Sequence, residues 1–331
     1  MTKREKTINR IILCLLFICF TLVISGLSII FSGQQNNELQ LIFCDVGQGD
    51  AILFVAGQQQ MLIDGGPDNG KALSCLRKYM PSDDSRLELL VITHPDLDHF
   101  GGLTTILDVY QVETVIIPPF QKNTISFNAL KQKLMELVAN QNLNLIHCPG
   151  KTKMSWPGDS QISFWNTFED SLCGTEPAKT ETKNNVLSDN YFWYSENNDG
   201  NNNGSIVTIL NIDQSFSLFL GDLETAGELA LIRSKLLTKI DVLKIAHHGA
   251  KTATSDELLL TLRPEKAVIS VGKSNRYGHP TRQTLSKLEV NKIPIYRTDE
   301  IGDVVFVFQG SQWQQVAKEQ SWWLKIIDLL R

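Results

Sequence analysis

His94-Pro95-Asp96-Leu97-Asp98-His99 puts four potential metal ligands within six residues. The apolar run Leu89-Leu90-Val91-Ile92 leads into it and reads as a buried strand. Gly101-Gly102 follow, a pair that permits the tight backbone where a helix begins. A strand-to-helix loop can bring four such side chains to one point, as a metal site requires. A solvated polar loop has no need of two imidazoles and two carboxylates in that pattern.

Three other stretches end strands in the same chemistry. Phe219-Leu220-Gly221-Asp222 and Met61-Leu62-Ile63-Asp64-Gly65-Gly66 each deliver a carboxylate, and Ile245-Ala246-His247-His248-Gly249 delivers two imidazoles. A single carboxylate after a strand is an ordinary turn residue. Four such strand ends in one chain predict that ligands converge on one edge of a sheet.

The 331 residues are 42% hydrophobic, enough for one large α/β domain or two small ones. Net charge is −5; the first ten residues carry +3, which leaves −8 for the rest. That balance provides no general attraction to nucleic acid, though it allows a local groove. Residues 1–10 read as a basic stub, and Ile11–Phe31 contains no charged residue and is long enough to span a bilayer. The positive flank predicts a cytoplasmic N-terminus and an extracytoplasmic remainder. We expect an uncleaved single-pass anchor in the cell membrane. The rival is a secreted protein whose signal peptide is removed near Ser32-Gly33. Among six cysteines, none shows C-x-x-C spacing, so neither a zinc finger nor a disulfide framework is legible. Cys44 reads as a small core hydrophobe. One disulfide remains open if the domain lies outside the cell.

After a linker at 32–38, short strands predominate: Leu39–Val46, Ala51–Ala56, Gln59–Ile63 and Leu87–Thr93. Helices are expected at Lys71–Met80, Leu103–Tyr110 and Ser126–Asn140, and strands at Thr114–Ile117, Asn144–Cys148 and Gln161–Trp165. Residues 169–204 are rich in Asn, Asp, Ser, Thr and Glu and read as a mobile surface insertion. Its aromatic stretch Tyr191–Tyr194 is expected to dock on the domain. Strands Ser205–Ile212, Ser215–Leu220, Asp241–Ala246, Ala267–Val271, Ile293–Tyr296 and Asp303–Phe308 follow, with helices at Leu223–Ser234, Ser255–Leu262 and Arg282–Val290. Meanders first and alternation later predict two sheets face to face with helices outside. The segment 317–331 reads as an amphipathic C-terminal helix packing on the domain, with an interfacial membrane contact as the other reading.

The ordered motifs resemble the metallo-β-lactamase superfamily, whose H-x-H-x-D-H appears here with Asp96 at the second histidine. They also resemble the C-terminal hydrolase-like domain of ComEC-type competence proteins. Asp45-Val46-Gly47-Gln48-Gly49-Asp50, Ser205-Ile206-Val207 and Asn275-Arg276-Tyr277-Gly278-His279-Pro280 extend that likeness over roughly residues 39–310. The resemblance implies an α/β fold, a four-layer αββα sandwich over residues 39–316, as a stand-alone version behind one transmembrane helix. It also implies two divalent metal ions, Zn²⁺ or Mn²⁺. Carried over residue by residue, His94 and Asp96 hold the first metal, and Asp98 and His99 the second. Asp222 bridges both. One of His247 and His248 completes the second site, with His248 slightly preferred. Asp64 orients a ligand imidazole. The third histidine of the first site has no match: His147 reads as structural, and Asn203 and Ser205 fall nearest the missing position. Asp45, Asp50 and Asn275 are further candidates around the site. Fewer imidazoles and more carboxylates make a harder site, which favours manganese.

The resemblance implies hydrolysis of phosphodiester bonds, and the likeness to competence proteins suggests extracellular DNA uptake or processing as the setting. Asp98 would orient the attacking water, and His279 would bind substrate phosphate or protonate the leaving group. Two alternatives stay open. One is an envelope phosphoesterase acting on choline- or glycerol-phosphate units, and the other a non-catalytic membrane-tethered module.

Overall fold

Short apolar strands, buried on both faces, build the fold. In the computed structural model, residues 38–81, 83–118, 122–147, 152–165, 202–236 and 239–316 are described, together with Phe17, Cys19 and Thr21. The chain divides into two compact units, Met1–Asn37 and Glu38–Arg331. Of the first, the described residues are helical. The basic stub, nearly all of the expected anchor, most of the 169–204 insertion with its aromatic stretch, and the C-terminal helix lie outside the described residues. Among the described residues, no helix is long and apolar enough to cross a membrane.

The second unit holds two sheets. The first runs in the order β15 (Gln312–Gln315), β14 (Val304–Gln309), β1 (Leu39–Phe43), β2 (Ile52–Ala56), β3 (Gln59–Ile63), β4 (Arg86–Val91), β5 (Gln111–Ile117), β6 (Asn144–His147). The second runs β13 (Ile295–Arg297), β12 (Lys266–Ile269), β11 (Val242–Lys244), β10 (Ser215–Phe219), β9 (Val207–Ile212), β8 (Ser160–Trp165), β7 (Lys153–Trp156). From β3 to β6 and from β10 to β13 the strands are parallel; the other pairs are antiparallel.

Successive side chains on a strand face opposite ways. Leu41, Phe43, Leu89 and Val91 of the first sheet therefore join Phe219, Val242 and Val268 of the second in the core between the sheets. Ile42, Leu90 and Ile92 point the other way and pack beneath α1 (Lys71–Tyr79), α3 (Leu103–Val109) and α4 (Ile125–Ala139). Leu218, Leu243 and Ile269 do the same beneath α5 (Thr225–Arg233), α6 (Asp256–Leu262) and α7 (Arg282–Val290). The result is the mixed α/β sandwich of helix, sheet, sheet and helix that the motifs implied.

Three differences from the sequence reading have local causes. β7 and β15 were not expected; both are four-residue edge strands, Lys-Met-Ser-Trp and Gln-Trp-Gln-Gln, each with one buried tryptophan. The expected strand Asp241–Ala246 ends at Lys244, because His247 (φ 50°), His248 (φ 54°) and Gly249 (φ 83°) all turn left-handed. Cys44 is not a free core hydrophobe but is disulfide-bonded to Cys75 on α1, across 31 residues of sequence.

Candidate metal centre

Each ligand-bearing motif follows a strand end. Asp64 follows β3, and Thr93 and His94 follow β4. α2 (Leu97–Phe100) then carries Asp98 and His99, Asp222 follows β10, and His247 and His248 follow β11. Main-chain hydrogen bonds tie these ends together. Gly65 N donates to His99 O at 2.6 Å, Ile206 N to Thr93 O at 3.0 Å, and His247 N to Gly221 O at 3.1 Å. The Asp45–Asp50 loop closes on the same motif, with Asp50 N donating to Asp98 O at 3.2 Å. That approach needs glycine at 49: its φ is 132°, and a Cβ there would lie 2.1 Å from the Asp98 carbonyl oxygen.

Side chains from three of these strand ends, after β4, β10 and β11, meet together with Asp50. Ligand atoms of His94, His99 and Asp222 lie within 4.8 Å of one another, as do those of Asp98, His99 and His248, and of Asp50, Asp222 and His248. Asp222 is shared: its Oδ2 is 3.6 Å from His94 Nε2, and its Oδ1 is 3.2 Å from His99 Nε2 and 3.7 Å from His248 Nε2. His94, His99, Asp222 and His248 are all buried.

The partners of the other ring nitrogens decide which nitrogens face this centre. His99 Nδ1 donates to Asp64 Oδ2 at 2.8 Å. The Thr93 hydroxyl spends its hydrogen on Asp64 Oδ2 at 2.6 Å and so accepts from His94 Nδ1 at 2.9 Å. His248 Nδ1 donates to the Ser270 carbonyl at 2.9 Å. All three imidazoles therefore have Nδ1 engaged and turn Nε2 inward. His94 Nε2, His99 Nε2, His248 Nε2 and Asp222 Oδ1 are buried without a hydrogen-bond partner. Converging nitrogens of this kind beside an orphaned carboxylate oxygen are the donor set a divalent cation takes. The residues present thus fit the metal that the motifs imply.

The buried charges of the centre act on one another. Burial would raise Asp222, but His99, His248 and His94 hold its carboxyl well below the usual range. Burial would lower His99 and His248, but Asp222 lifts both, with Asp64 adding at His99 and Asp98 at His248. His94 is lowered, by burial and by His99. Asp98, 3.4 Å from His248 Nε2, is held low against burial by that contact and by His99.

Several predicted site residues lie elsewhere or act differently. Asp96 joins none of these clusters; it pairs with Lys122 Nζ at 2.6 Å. His248 is in two clusters, whereas His247 is at the rim, with Nε2 3.7 Å from Asp222 Oδ2 and Nδ1 3.5 Å from Glu224 Oε1. Asp64 sits behind His99, 2.8 Å from its Nδ1. Asp50 is buried beside His248 and His99. Asp45 is outside, where Asp303 Oδ1 accepts from its main-chain N–H and Lys71 lies 3.5 Å away. Asn203 Oδ1 accepts from Glu224 N and Gly227 N at the start of α5, so it is committed to that helix. Ser205 Oγ accepts from Asp222 N at 3.3 Å and positions the shared carboxylate. Asn275 braces its own turn, and His279 stands at the rim, its ring centroid 5.7 Å from that of His247. His147 is at the end of β6.

The sequence reading missed Lys244, which is fully buried and ion-paired with Asp50. The signal was present: a lysine inside the apolar run Val242–Ile245. A buried ammonium needs a paired carboxylate. Thr93 and Lys122 were also missed, and neither residue type announces such a role.

Residues 44–125 match the family model "Metallo-beta-lactamase superfamily". The chain is 26% identical over 292 residues to ComE operon protein 3 of Bacillus subtilis, covering 83% of this chain and 34% of that protein. It is 27% identical over 321 residues to Recombination protein 2 of Haemophilus influenzae, covering 95% of this chain and 34% of that protein. The chain thus spans about a third of the length of these curated relatives. Among solved structures, the metallo-beta-lactamase fold protein YhfI from Bacillus subtilis aligns with TM-score 0.49 at 11% identity, over 81% of this chain and 99% of that one. The resemblance read from the motifs, to this superfamily and to competence proteins, holds.

Proposed function

We propose that this chain, similar to the metallo-β-lactamase superfamily and to competence proteins, is a metal-dependent hydrolase of phosphodiester bonds in nucleic acid. The observation that supports it best is the set of three inward-facing Nε2 atoms around the Asp222 carboxylate. His94, His99, His248, Asp98 and Asp222 would hold divalent ions. Such ions, when bound, activate water and neutralise charge on a phosphoryl oxygen. The chain's own residues supply the rest. Asp64 and Thr93 fix the imidazole orientations, and Ser205 fixes Asp222. Asp98, part-exposed at the mouth, orients the attacking water through its carboxylate. His279 contacts the substrate phosphate from the rim.

The Lys122–Asp96 pair favours a second reading of the metal count, with one tightly held ion rather than two, because it withdraws a carboxylate from the His94 side. The names of the relatives motivate DNA uptake or processing as the setting. The uncharged Ile11–Phe31 run behind a basic stub, and the Cys44–Cys75 disulfide, support an anchored domain outside the cytoplasm. The test is turnover of bis(p-nitrophenyl) phosphate and of single-stranded DNA with Mn²⁺ or Zn²⁺, with bound metal counted in parallel. Turnover of both substrates, abolished by chelator, is expected. Bound metal without cleavage of either would overturn the phosphodiesterase reading.

A further inference from the structure

Beside the metal centre, the turn Asn275–His279 is braced as a rigid unit. Asn275 Oδ1 accepts from Tyr277 N at 3.2 Å and from His279 N at 2.9 Å, and its Nδ2 donates to Gly272 O and His279 O. A Cβ at Gly249, which has positive φ, would lie 2.6 Å from Pro280 Cβ, so the turn also packs closely on the His247–Gly249 segment. Tyr277 rides on this turn with its ring stacked on His279, centroids 5.8 Å apart and planes at 25°. His279 in turn lies 5.7 Å from His247, and His247 Nε2 lies 3.7 Å from Asp222 Oδ2. Yet Tyr277 is 53% exposed. Arg276, also exposed, places Cζ 5.1 Å from the tyrosine ring centroid, with Nη2 donating to the phenolic oxygen at 3.1 Å.

A scattered aromatic on a surface needs no explanation. This one is different in three respects: its turn is held by four side-chain hydrogen bonds, it abuts the rim of the candidate metal centre, and an exposed guanidinium lies over the ring and donates to its hydroxyl. We propose that Tyr277 and Arg276 form a subsite for one unstacked nucleobase and its adjoining phosphate in a single-stranded nucleic acid, next to the bond that is cut. This rests on the phosphodiesterase reading above. An aromatic face stacks any base, and a guanidinium takes the phosphate beside it. Duplex bases are already stacked and do not present a free face, so the subsite selects single strands. A quaternary ammonium, such as choline, would also seek an aromatic face, but Arg276 beside the ring repels it.

The test uses the full-length protein and two fluorescein-labelled ten-mers, one of thymidine and one of abasic residues. Binding is read by anisotropy in chelator, and cleavage with Mn²⁺. The unaltered protein is expected to prefer the thymidine strand. Tyr277→Ala should weaken that strand by about 5- to 150-fold, the size of one lost stack, and leave the abasic strand unchanged. Tyr277→Trp should keep the preference. Arg276→Gln should weaken both strands and lower the salt slope by about 0.7. If Tyr277→Ala weakened both strands equally, the tyrosine would merely support His279 and the proposal would fail. It would fail equally if the preference survived that change. Absence of cleavage with intact base preference would sink the hydrolase reading and not the subsite.

Discussion

Asp222 is the residue on which the centre depends most. Its carboxylate reaches the Nε2 atoms of His94, His99 and His248, and it is buried. Asp222→Asn keeps the shape and removes the charge those nitrogens surround. Bound metal, measured by elemental analysis after gel filtration, should fall at every filled site, and turnover should drop by at least ~100-fold, the upper range for disturbed metal-site partners. Retention of the full metal complement by this variant would falsify the shared role. At this scale the sequence was informative where residue type and chemistry coincide. His94, Asp98, His99, Asp222 and His248 could be named because few other uses place those side chains at strand ends. Asp96 instead meets Lys122, 26 residues away in sequence and 2.6 Å away in space, a contact no local reading of the motif shows.

Strand ends carry the site, and strand ends also set some of the protein's response to acid. His147 closes β6, paired with Ile117 on β5. Burial, with Lys131 adding, lowers its imidazole from the ordinary 6.5 to about 4. Between those values the unfolded chain binds a proton that the folded chain does not. Stability from this group is therefore complete above about pH 6.5 and declines as pH falls toward 4, by at most about 1.4 kcal/mol per pH unit. His147→Gln should flatten urea-melt stability across that window relative to the unaltered protein. Equal pH slopes for the two proteins would show that His147 does not titrate this way. Element positions were largely legible, since short, nearly continuous apolar runs mark most of β1 to β5 and β8 to β12. The edge strands β7 and β15 were not, because each is only four residues long and is marked in sequence by a single tryptophan, Trp156 or Trp313, whose burial only the packing reveals.

The two sheets place β1 against β2 and β14, and the Cys44–Cys75 bond fastens the end of β1 to α1. The loop that follows Cys44 carries Asp50 to the metal centre. Closing a loop of this size contributes about 2–4 kcal/mol. The double variant Cys44→Ser with Cys75→Ser should lose stability of that order in chemical denaturation. Its turnover should fall as well, since Asp50 is placed from that loop. Unchanged stability would mean that the bond is not formed in the protein as produced.

The sequence by itself determined the fold class, the ligand types and the order of the motifs. Continuous apolar runs dictate strands buried on both faces, and metal chemistry restricts which side chains can serve. Only the tertiary structure decided which of His247 and His248 turns inward, that Asp96 meets Lys122, that Asn203 is spent on a helix, and that Cys44 finds Cys75. Each of these is a choice between partners distant in the chain. It is settled by the meeting of two sheets and their loops, and residue identity alone leaves the alternatives equal.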